Sequence, residues 1–288
     1  MLSTFKFIWK HPISSANRGA ALSRYVRWQV GTRLLGAPVV MPFVESTRLV
    51  CERSMTGATG NLYCGLHEFG DMAFLLHFLR PGDVFVDVGA NVGSFSILAS
   101  GVIGAHTVAL EPVASTFASL KRNIAVNDLE DRITSCRAAA GPRRGCVRFS
   151  IDRGPQNSAV DRNYPGESED VPMMPLDEVT ADNAVTLLKV DAEGSEGDVL
   201  AGASRTLRNP TLRTVLLESD SDSIASIMRQ AGFARALYAP VERLLDMPAA
   251  RPGGKTAATI NNLWVRDVEF VRDRCRTARQ FTVYGRTF

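Results

Sequence analysis

The sequence predicts an α/β protein with a mostly parallel central sheet and an antiparallel pair of strands near the C-terminus. First, residues 83–93 read DVFVDVGANVG, a strand-like apolar run that passes directly into a glycine-rich turn. Second, short apolar runs alternate with amphipathic stretches along most of the chain, which is typical of α/β units. Third, two late apolar runs, at 233–238 and 263–265, flank a Pro- and Gly-rich loop at 248–254.

Two helices are predicted before the sheet. Apolar residues recur at helical spacing over 20–35, and a strongly apolar stretch over 68–79 ends just before Pro81. Extended chain is expected between these helices, where Pro42 interrupts a run rich in valine. Residues 54–61 combine glycines with small polar residues and are expected to form a turn-rich link.

The sheet region is expected to alternate strands and helices. Apolar runs predict five core strands, at 84–88, 106–110, 132–138, 186–190 and 213–218. Helical patterns predict four helices, at 93–100, 113–127, 196–208 and 221–231. A long polar segment, 141–182, separates the third and fourth core strands and contains one strand-like stretch at 146–151. Long segments of this kind inside a compact domain are usually functional.

The composition is that of an ordinary globular chain. Its 288 residues are 45% hydrophobic and 22% charged, so the chain can bury a sizeable core. The pattern predicts a core domain over 61–270, an extension over 1–60 and a tail over 271–288. The net charge of only +3 gives no case for a nucleic-acid partner.

Cysteine usage and the N-terminus indicate a cytoplasmic protein. The five cysteines are odd in number and show no Cys-x-x-Cys spacing, so neither a disulfide framework nor a zinc site is predicted. No signal peptide or membrane-spanning stretch is recognised. The apolar cluster at 5–9 is expected to pack on the core or on a second subunit, with contact to a membrane surface as the alternative. A homo-oligomer therefore stays open.

The glycine turn and one downstream acid predict a ligand site. Asp87, Gly89, Asn91 and Gly93 crowd into seven residues, and such glycines let backbone N–H groups approach a ligand closely. The spacing differs from Gly-x-Gly-x-x-Gly, which favours a ligand without a pyrophosphate. Glu111 ends the second strand, where an acid typically accepts hydrogen bonds from ribose hydroxyls. The alternatives are a tight strand–helix connection for the glycines and a local cap for Asp87.

A second group of charged residues follows the fourth core strand. Asp191 and Glu193 lie two residues apart, and close carboxylates can push their pKa values apart, which suits a base. Lys189 shares one face of the strand with Asp191, and Glu218 ends the fifth strand. The alternative is a buried charge network that only braces the sheet.

Four segments together resemble the FkbM type of S-adenosylmethionine (SAM) dependent methyltransferase. They are DVGANVG, then LEP, then LLKVDAEGSEGDVLAGA at 187–203, and finally NNLWV at 261–265. The resemblance covers roughly residues 60 to 267. It implies a Rossmann-like class I methyltransferase fold with SAM as the cofactor.

The resemblance also implies roles for individual residues. The donor pocket would be formed by Asp87, Gly89, Asn91, Gly93, Glu111 and, over the donor, by the acid Glu68. Catalysis would fall to Asp191 and Glu193, beside the methyl group. The acceptor would be a hydroxyl on a sugar, a glycan or a polyketide-like molecule.

Two other functions compete with this one. A nicotinamide-dependent oxidoreductase is disfavoured by the glycine spacing and by the absence of a Tyr-x-x-x-Lys pair after the fourth strand. A SAM-binding module without catalysis is disfavoured by the intact carboxylates at 191 and 193. No set of residues with metal-ligand spacing is recognised, so no metal site is predicted.

Overall fold

An eight-stranded sheet runs through the centre of the protein. The computed structural model describes residues 2–52, 55–154, 157–161, 163–181, 183–247 and 261–288. The strands are β1 (Val39–Pro42), β2 (Arg48–Cys51), β3 (Val84–Val88), β4 (His106–Leu110), β5 (Ile133–Cys136), β6 (Ala139–Ala140), β7 (Gly145–Ser150), β8 (Ser168–Met174), β9 (Val185–Val190), β10 (Thr214–Leu217), β11 (Ala234–Ala239), β12 (Leu244–Asp246), β13 (Asn262–Val265), β14 (Thr282–Val283) and β15 (Arg286–Thr287).

Helices cover the sheet and build most of the N-terminal region. They are α1 (Leu2–Lys10), α2 (Arg18–Leu35), α3 (Thr56–Cys64), α4 (Phe69–Phe78), α5 (Ser94–Ile97), α6 (Ala114–Ala125), α7 (Leu176–Val179), α8 (Glu196–Ala201), α9 (Ser204–Arg208), α10 (Asp222–Gln230) and α11 (Val268–Thr277). A short 3₁₀ helix (Ser14–Ala16) precedes α2, and a π-helical turn (Leu98–Ile103) continues α5. None of the helices in the described ranges is both long and apolar enough to cross a membrane.

The central sheet has the strand order β12-β11-β13-β10-β9-β3-β4-β5. Strands β3, β4, β5, β9 and β10 are parallel, whereas β13 runs antiparallel between β10 and β11. The predicted Rossmann-like class and its late antiparallel pair are therefore confirmed. The loop predicted at 248–254 lies outside the described residues. Strands β3 and β4 match their predicted bounds, because fully buried apolar runs bounded by turn residues leave little freedom in register.

The third core strand is shorter than predicted, and one predicted helix is divided in two. The third core strand stops at Cys136, whose carbonyl accepts the Ala138 N–H in a local turn as well as the Glu111 N–H from the end of β4. The helix predicted over 196–208 is divided into α8 and α9. At the division, a Cβ on Gly202 would lie 2.0 Å from the backbone oxygen of Gly141, so only glycine allows this contact.

The prediction of a turn-rich link at 54–61 is wrong, since most of this segment belongs to helix α3. Its glycines allow close packing and do not mark turns. A Cβ on Gly60 would lie 2.1 Å from the His67 ring, and one on Gly57 would lie 3.3 Å from the Asn91 side chain. The two glycines thus bring α3 against the loop before α4 and against the glycine turn.

The polar segment at 141–182 is more ordered than its sequence predicts. The predicted short strand is present as β7, and it pairs antiparallel with a second strand, β8, along its whole length. Strand β6 joins the other edge of β8 in parallel. The prediction of a mainly polar loop was incomplete, because β8 reads SEDVPMM and lacks a continuous apolar run.

The N-terminal and C-terminal segments pack into the same apolar core as α4. Ile8 and Trp28 from the first two helices and Phe281 and Phe288 from the last residues belong to one buried cluster with Phe74. The expected division into an extension, a core domain and a tail stays a prediction. The shared cluster means that the three segments are not separated by a gap in packing.

Two asparagines, one in helix α6 and one just after it, attach strand β2 to the main domain. The fully buried Asn123 accepts a hydrogen bond from the Val50 N–H at 2.6 Å and donates to the Val92 carbonyl at 2.7 Å. One turn further, Asn127 bonds both backbone groups of Arg48. Strand β1 pairs with one edge of β2, and these two asparagines bond backbone groups on the other edge.

We expect Asn123→Ala to lower the free energy of unfolding by about 1–3 kcal/mol, because it leaves a buried N–H and a buried carbonyl without partners. Urea denaturation measures this as a lower midpoint with an unchanged slope. Asn127→Ala is the matched control and should cost less than about 1 kcal/mol, since water can replace its more exposed bonds. Equal losses for both variants would contradict the assignment.

Candidate active site

A cavity of about 360 Å³ opens at the carboxyl ends of β3, β4 and β9. In open α/β sheets this edge is where ligands bind, and the volume suits a small molecule. Its charged lining residues are Glu68, Glu111, Lys189, Asp191, Glu193, Asp198 and Glu218. Acids thus outnumber cations strongly in the described part of this wall, which favours a positively charged or neutral ligand.

The glycine turn forms one wall of the cavity, and Gly89 is its tightest point. Gly89 has a φ of +75°, and a Cβ there would lie 1.9 Å from the backbone oxygen of Asp191. The absence of a side chain is therefore required by the neighbouring loop, and its role toward a ligand stays a prediction. The contact therefore brings the glycine turn after β3 against the carboxylate loop after β9.

Glu111 links the turn to the end of β4. Its Oε2 accepts the Asn91 N–H at 3.0 Å and its Oε1 accepts the Val113 N–H at 3.0 Å, while only 6% of the residue is exposed. Burial raises the pKa of Glu111 to about 7. Asn91 itself has a φ of +52° and its Oδ1 accepts the Val92 N–H. Both oxygens of Glu111 keep a lone pair for a ligand hydroxyl.

Two predicted site residues lie behind the cavity wall. Gly93 has a φ of +90° and precedes α5, where a Cβ would lie 2.6 Å from Leu120 of helix α6. Asp87 is 1% exposed, and its Oδ2 accepts the Ser96 hydroxyl at 2.7 Å. Both residues therefore act on the turn from behind, and a direct contact with a ligand stays a prediction for each.

A buried lysine stands at the centre of the charged side chains. Lys189 is 2% exposed, and its Nζ lies 2.8 Å from Asp191 Oδ2. Asp87 pairs with Lys189 in the β3–β9 register, and Glu68 also interacts with its charge. Burial lowers the pKa of Lys189, but the surrounding carboxylates outweigh this effect and raise it above its ordinary value. The lysine is therefore a permanent cation beneath the cavity.

Three carboxylates meet above this lysine. Oxygens of Asp191, Glu193 and Glu218 all lie within 4.8 Å of one another. Burial raises the pKa of Asp191, yet Lys189 overrides this and holds it below its usual range. Burial and the Asp191 charge raise the pKa of Glu218 to about 7. Such a trio could share a proton or hold a divalent cation. No metal-ligand spacing is visible in the sequence because Glu218 lies far along the chain from Asp191 and Glu193.

The loop that carries Asp191 and Glu193 is held by Glu196, which sequence reasoning missed. Glu196 is 1% exposed, and its Oε1 accepts the N–H groups of Ala192 and Gly194. Its Oε2 accepts the Ser219 hydroxyl at 2.6 Å, which ties the end of β9 to the end of β10. The only sequence signal was an acid in the first turn of a helix, where it also favours the helix dipole.

Glu68 also interacts with the charge of the lysine and has a hydrogen-bond partner, Asn261, that lies far from it in the sequence. Asn261 Nδ2 lies 3.4 Å from Glu68 Oε2 and 3.2 Å from Asp71 Oδ2, and its backbone N–H also bonds Asp71. Burial raises the pKa of Glu68 to about 8. Sequence reasoning identified the 261–265 segment as a closing strand and missed this contact, which only the fold creates.

Part of the cavity wall is apolar. Ala138, Ala139 and Val113 line it, together with Phe149 from β7 of the small sheet. Apolar residues together with the acid Glu111 suit a nucleoside, whose ring would pack on the alanines and whose ribose would bond the acid.

Comparison with known proteins decides the family. The sequence model described as "Methyltransferase FkbM domain" matches residues 87–234, which is half of the chain. The chain belongs to the FkbM methyltransferase family. The match includes both the glycine turn and the carboxylate loop.

Curated relatives agree with this family. The chain is 32% identical over 205 residues to 31-O-demethyl-FK506 methyltransferase FkbM of Streptomyces tacrolimicus, covering 57% of this chain and 78% of that protein. It is 26% identical over 189 residues to Methyltransferase 1 of Beauveria bassiana (strain ARSEF 2860), covering 56% and 76%. Both alignments extend over most of the relatives' lengths.

Solved structures resemble the chain more distantly. Streptococcus pneumoniae Sp1610 in complex with S-adenosyl-L-methionine aligns with a TM-score of 0.40 and 11% identity, covering 68% of this chain and 70% of that one. Precorrin-6y C5,15-methyltransferase from Geobacter metallireducens GS-15 aligns with a TM-score of 0.37 and 12% identity, covering 69% and 86%.

This FkbM methyltransferase uses SAM, and the cavity fits that cofactor. Glu111 keeps two acceptor lone pairs at the wall, which suits the two ribose hydroxyls. The apolar wall suits the adenine ring, and the acidic lining suits the positive charges of the sulfonium and the amino group. The nicotinamide alternative is not supported, because the family is one of methyltransferases.

We expect Glu111→Gln to weaken SAM binding by about 1.5–3 kcal/mol, roughly ten- to a hundredfold, because it removes a charge-assisted acceptor. Isothermal titration calorimetry measures this directly. Glu130→Gln is the matched control, since Glu130 is exposed. Unchanged affinity in Glu111→Gln would show that this acid only holds the glycine turn.

Proposed function

We propose that this methyltransferase modifies a hydroxyl oxygen on an uncharged acceptor, such as a sugar, a glycan or a polyketide-like molecule. The observation that carries the proposal is the charge of the cavity. Among its described lining residues Lys189 is the one Lys or Arg, and its ammonium already pairs with Asp191. A phosphorylated or carboxylated acceptor would therefore meet acids without a free cation to bind it.

The relative from Streptomyces tacrolimicus supports an oxygen acceptor. Its name states a 31-O-demethyl-FK506 methyltransferase, that is, methyl transfer to an oxygen of that molecule. The acidic cavity gives an independent reason for the same chemistry, because an alcohol must lose a proton as its oxygen is methylated. Both arguments favour a neutral alcohol over a nucleic acid or another anionic acceptor.

We infer that Glu218 accepts the hydroxyl proton, with Asp191 as its immediate partner. A carboxylate oxygen of Glu218 lies within 4.8 Å of one of Asp191, and the buried Oε2 of Glu218 has no hydrogen-bond partner among the described residues, which fits a proton shared by the two groups. A pKa of about 7 leaves Glu218 able to take a proton near neutral pH. When bound, SAM supplies the electrophilic methyl group.

The roles of the other acids follow from their positions. Asp191 is held anionic by Lys189, so it stays charged while Glu218 gains and loses its proton. Glu193 lies exposed at the rim of the cavity, where it can contact the acceptor or act as the base in place of Glu218. Glu68 covers the lysine from the α4 side, and we propose that it faces the donor.

The acceptor class is tested with matched pairs of candidate molecules. Methyl transfer from methyl-labelled SAM is measured on neutral alcohols and on the same alcohols bearing a phosphate or a carboxylate. We expect label only in the neutral member of a pair. Labelling of the anionic members at equal or higher rate would contradict the proposal, and absence of label from all pairs with intact SAM binding would favour a module without catalysis.

We expect Glu218→Gln to slow single-turnover methyl transfer about 10²–10⁴-fold, the usual loss when a general base is removed, with SAM affinity nearly unchanged. Glu193→Gln is the matched control and should keep most of the rate. If Glu193→Gln is slow and Glu218→Gln is not, the base is Glu193, one of the two acids that the sequence analysis predicted for catalysis.

The pH dependence tests the pairing of the two acids. The base must be deprotonated, so the rate should rise with pH through about 7 and then level off. In Asp191→Asn the neighbouring negative charge is gone, so the pKa of Glu218 falls and this rise should move to lower pH. A rise that stays at the same pH in Asp191→Asn would show that the two groups are not coupled.

The carboxylate trio also allows a test for a metal. We expect activity to survive treatment with EDTA, because Lys189 already neutralises Asp191 and a shared proton relieves the repulsion with Glu218. The measurement is single-turnover transfer before and after chelation, and again with added Mg²⁺. Loss on chelation and recovery with Mg²⁺ would assign the trio to a divalent cation.

A further inference from the structure

Positive charge is concentrated at the start of the chain. Residues 1–44 contain six Lys and Arg and no Asp or Glu, whereas the remaining residues contain 27 Lys and Arg against 30 Asp and Glu. The net charge of +3 is therefore the sum of a basic N-terminal region and a slightly acidic remainder of the chain. Such asymmetry is typical of contact with an anionic surface.

Helix α1 exposes aromatic and basic side chains on one side. Phe5 and Trp9 are 45% and 46% exposed, and their rings stack with centroids 5.8 Å apart. Lys6 and Lys10 are exposed beside them, while Ile8 is fully buried against the core. The expectation that the 5–9 cluster packs on the core therefore holds for only part of it.

Helix α2 carries a second exposed apolar line. Val26, Val30 and Leu34 recur every four residues and are 55%, 51% and 80% exposed. Arg27 and Arg33 are exposed on the same helix. Such apolar residues on a soluble chain usually mark an interaction surface when they are contiguous along a helix.

The two helices are joined and their exposed cations have no acidic partners. The Arg18 guanidinium of α2 lies 5.1 Å from the Trp9 ring and donates to the Trp9 carbonyl. No ion pair in the described ranges involves Lys6, Lys10, Arg18, Arg27 or Arg33. The basic charges are therefore available to an external partner.

We propose that the exposed faces of α1 and α2 bind the surface of a bilayer that contains anionic lipids. Exposed Trp and Phe beside lysines are the combination that inserts at the level of the lipid headgroups, and the basic residues match the negative surface. A second copy of the chain fits less well, because two copies of this basic face repel each other. Nucleic acid would match the charge but not the exposed aliphatic line.

The test uses the full chain with vesicles of two compositions: phosphatidylcholine alone, and equal parts of phosphatidylcholine and phosphatidylglycerol. Trp9 is a built-in probe, because the other two tryptophans, Trp28 and Trp264, are only 8% and 2% exposed. We expect co-sedimentation and a blue shift of tryptophan emission with the mixed vesicles, both weakened by salt. Vesicles without anionic lipid should give neither.

Variants separate the contributions of charge and apolar contact. Lys6→Gln with Lys10→Gln should lower the partition coefficient about fivefold for each lysine, roughly thirtyfold together. Phe5→Ser should also weaken binding. Arg143→Gln and Leu244→Ser are the matched controls, since both residues are exposed elsewhere and should leave binding unchanged. SAM affinity, measured on every variant, verifies that each is folded.

Several outcomes would overturn the proposal. They are no binding to mixed vesicles, equal binding to both compositions, or equal losses in the control variants. Binding to RNA or DNA without binding to vesicles would assign the surface to nucleic acid. A concentration-dependent dimer that Phe5→Ser abolishes, without vesicle binding, would assign it to a second copy of the chain.

Discussion

The buried charge of Lys189 is the constraint on which the site depends. A lysine inside a sheet is stable only with anionic partners, and removing one side of a buried pair typically costs about 3–5 kcal/mol. The chain supplies Asp191, at the end of β9, as the direct partner, and places the carboxyl groups of Asp87 and Glu68 within reach of the lysine charge. The lysine thereby gathers acids from distant parts of the sequence around one point. The acidic lining that results suits the positive charge of a sulfonium donor.

Close backbone contacts convert this charge cluster into a defined geometry. The missing side chain of Gly89 lets the ends of β3 and β9 touch, and Glu196 fixes the loop between β9 and α8 from the other side. The carboxylates of Asp191 and Glu218 are consequently held together in spite of their repulsion. That repulsion is useful, because it moves one pKa toward neutrality while Lys189 keeps the other low.

Sequence reasoning succeeded where the signal is local. Strands β3 and β4 and the acid Glu111 at the end of β4 are read from short apolar runs and adjacent turn residues. It failed where residues serve distant neighbours. The glycines of α3 look like turn residues until the fold brings His67 and Asn91 against them. Strand β8 lacks apolar alternation because its partners, β6 and β7, form a small separate sheet.

The sequence by itself determined the fold class, the family resemblance and the residues at the strand ends, because periodicity and motif spacing are local properties of a chain. Tertiary structure alone decided which of those residues share a site. Asn261 contacts Glu68 and Asp71, although about 190 residues separate them in the sequence. Glu218 lies beside Asp191 because β10 and β9 are adjacent strands. Proton affinity depends on burial and on charges a few ångströms away, and only the folded chain sets those distances.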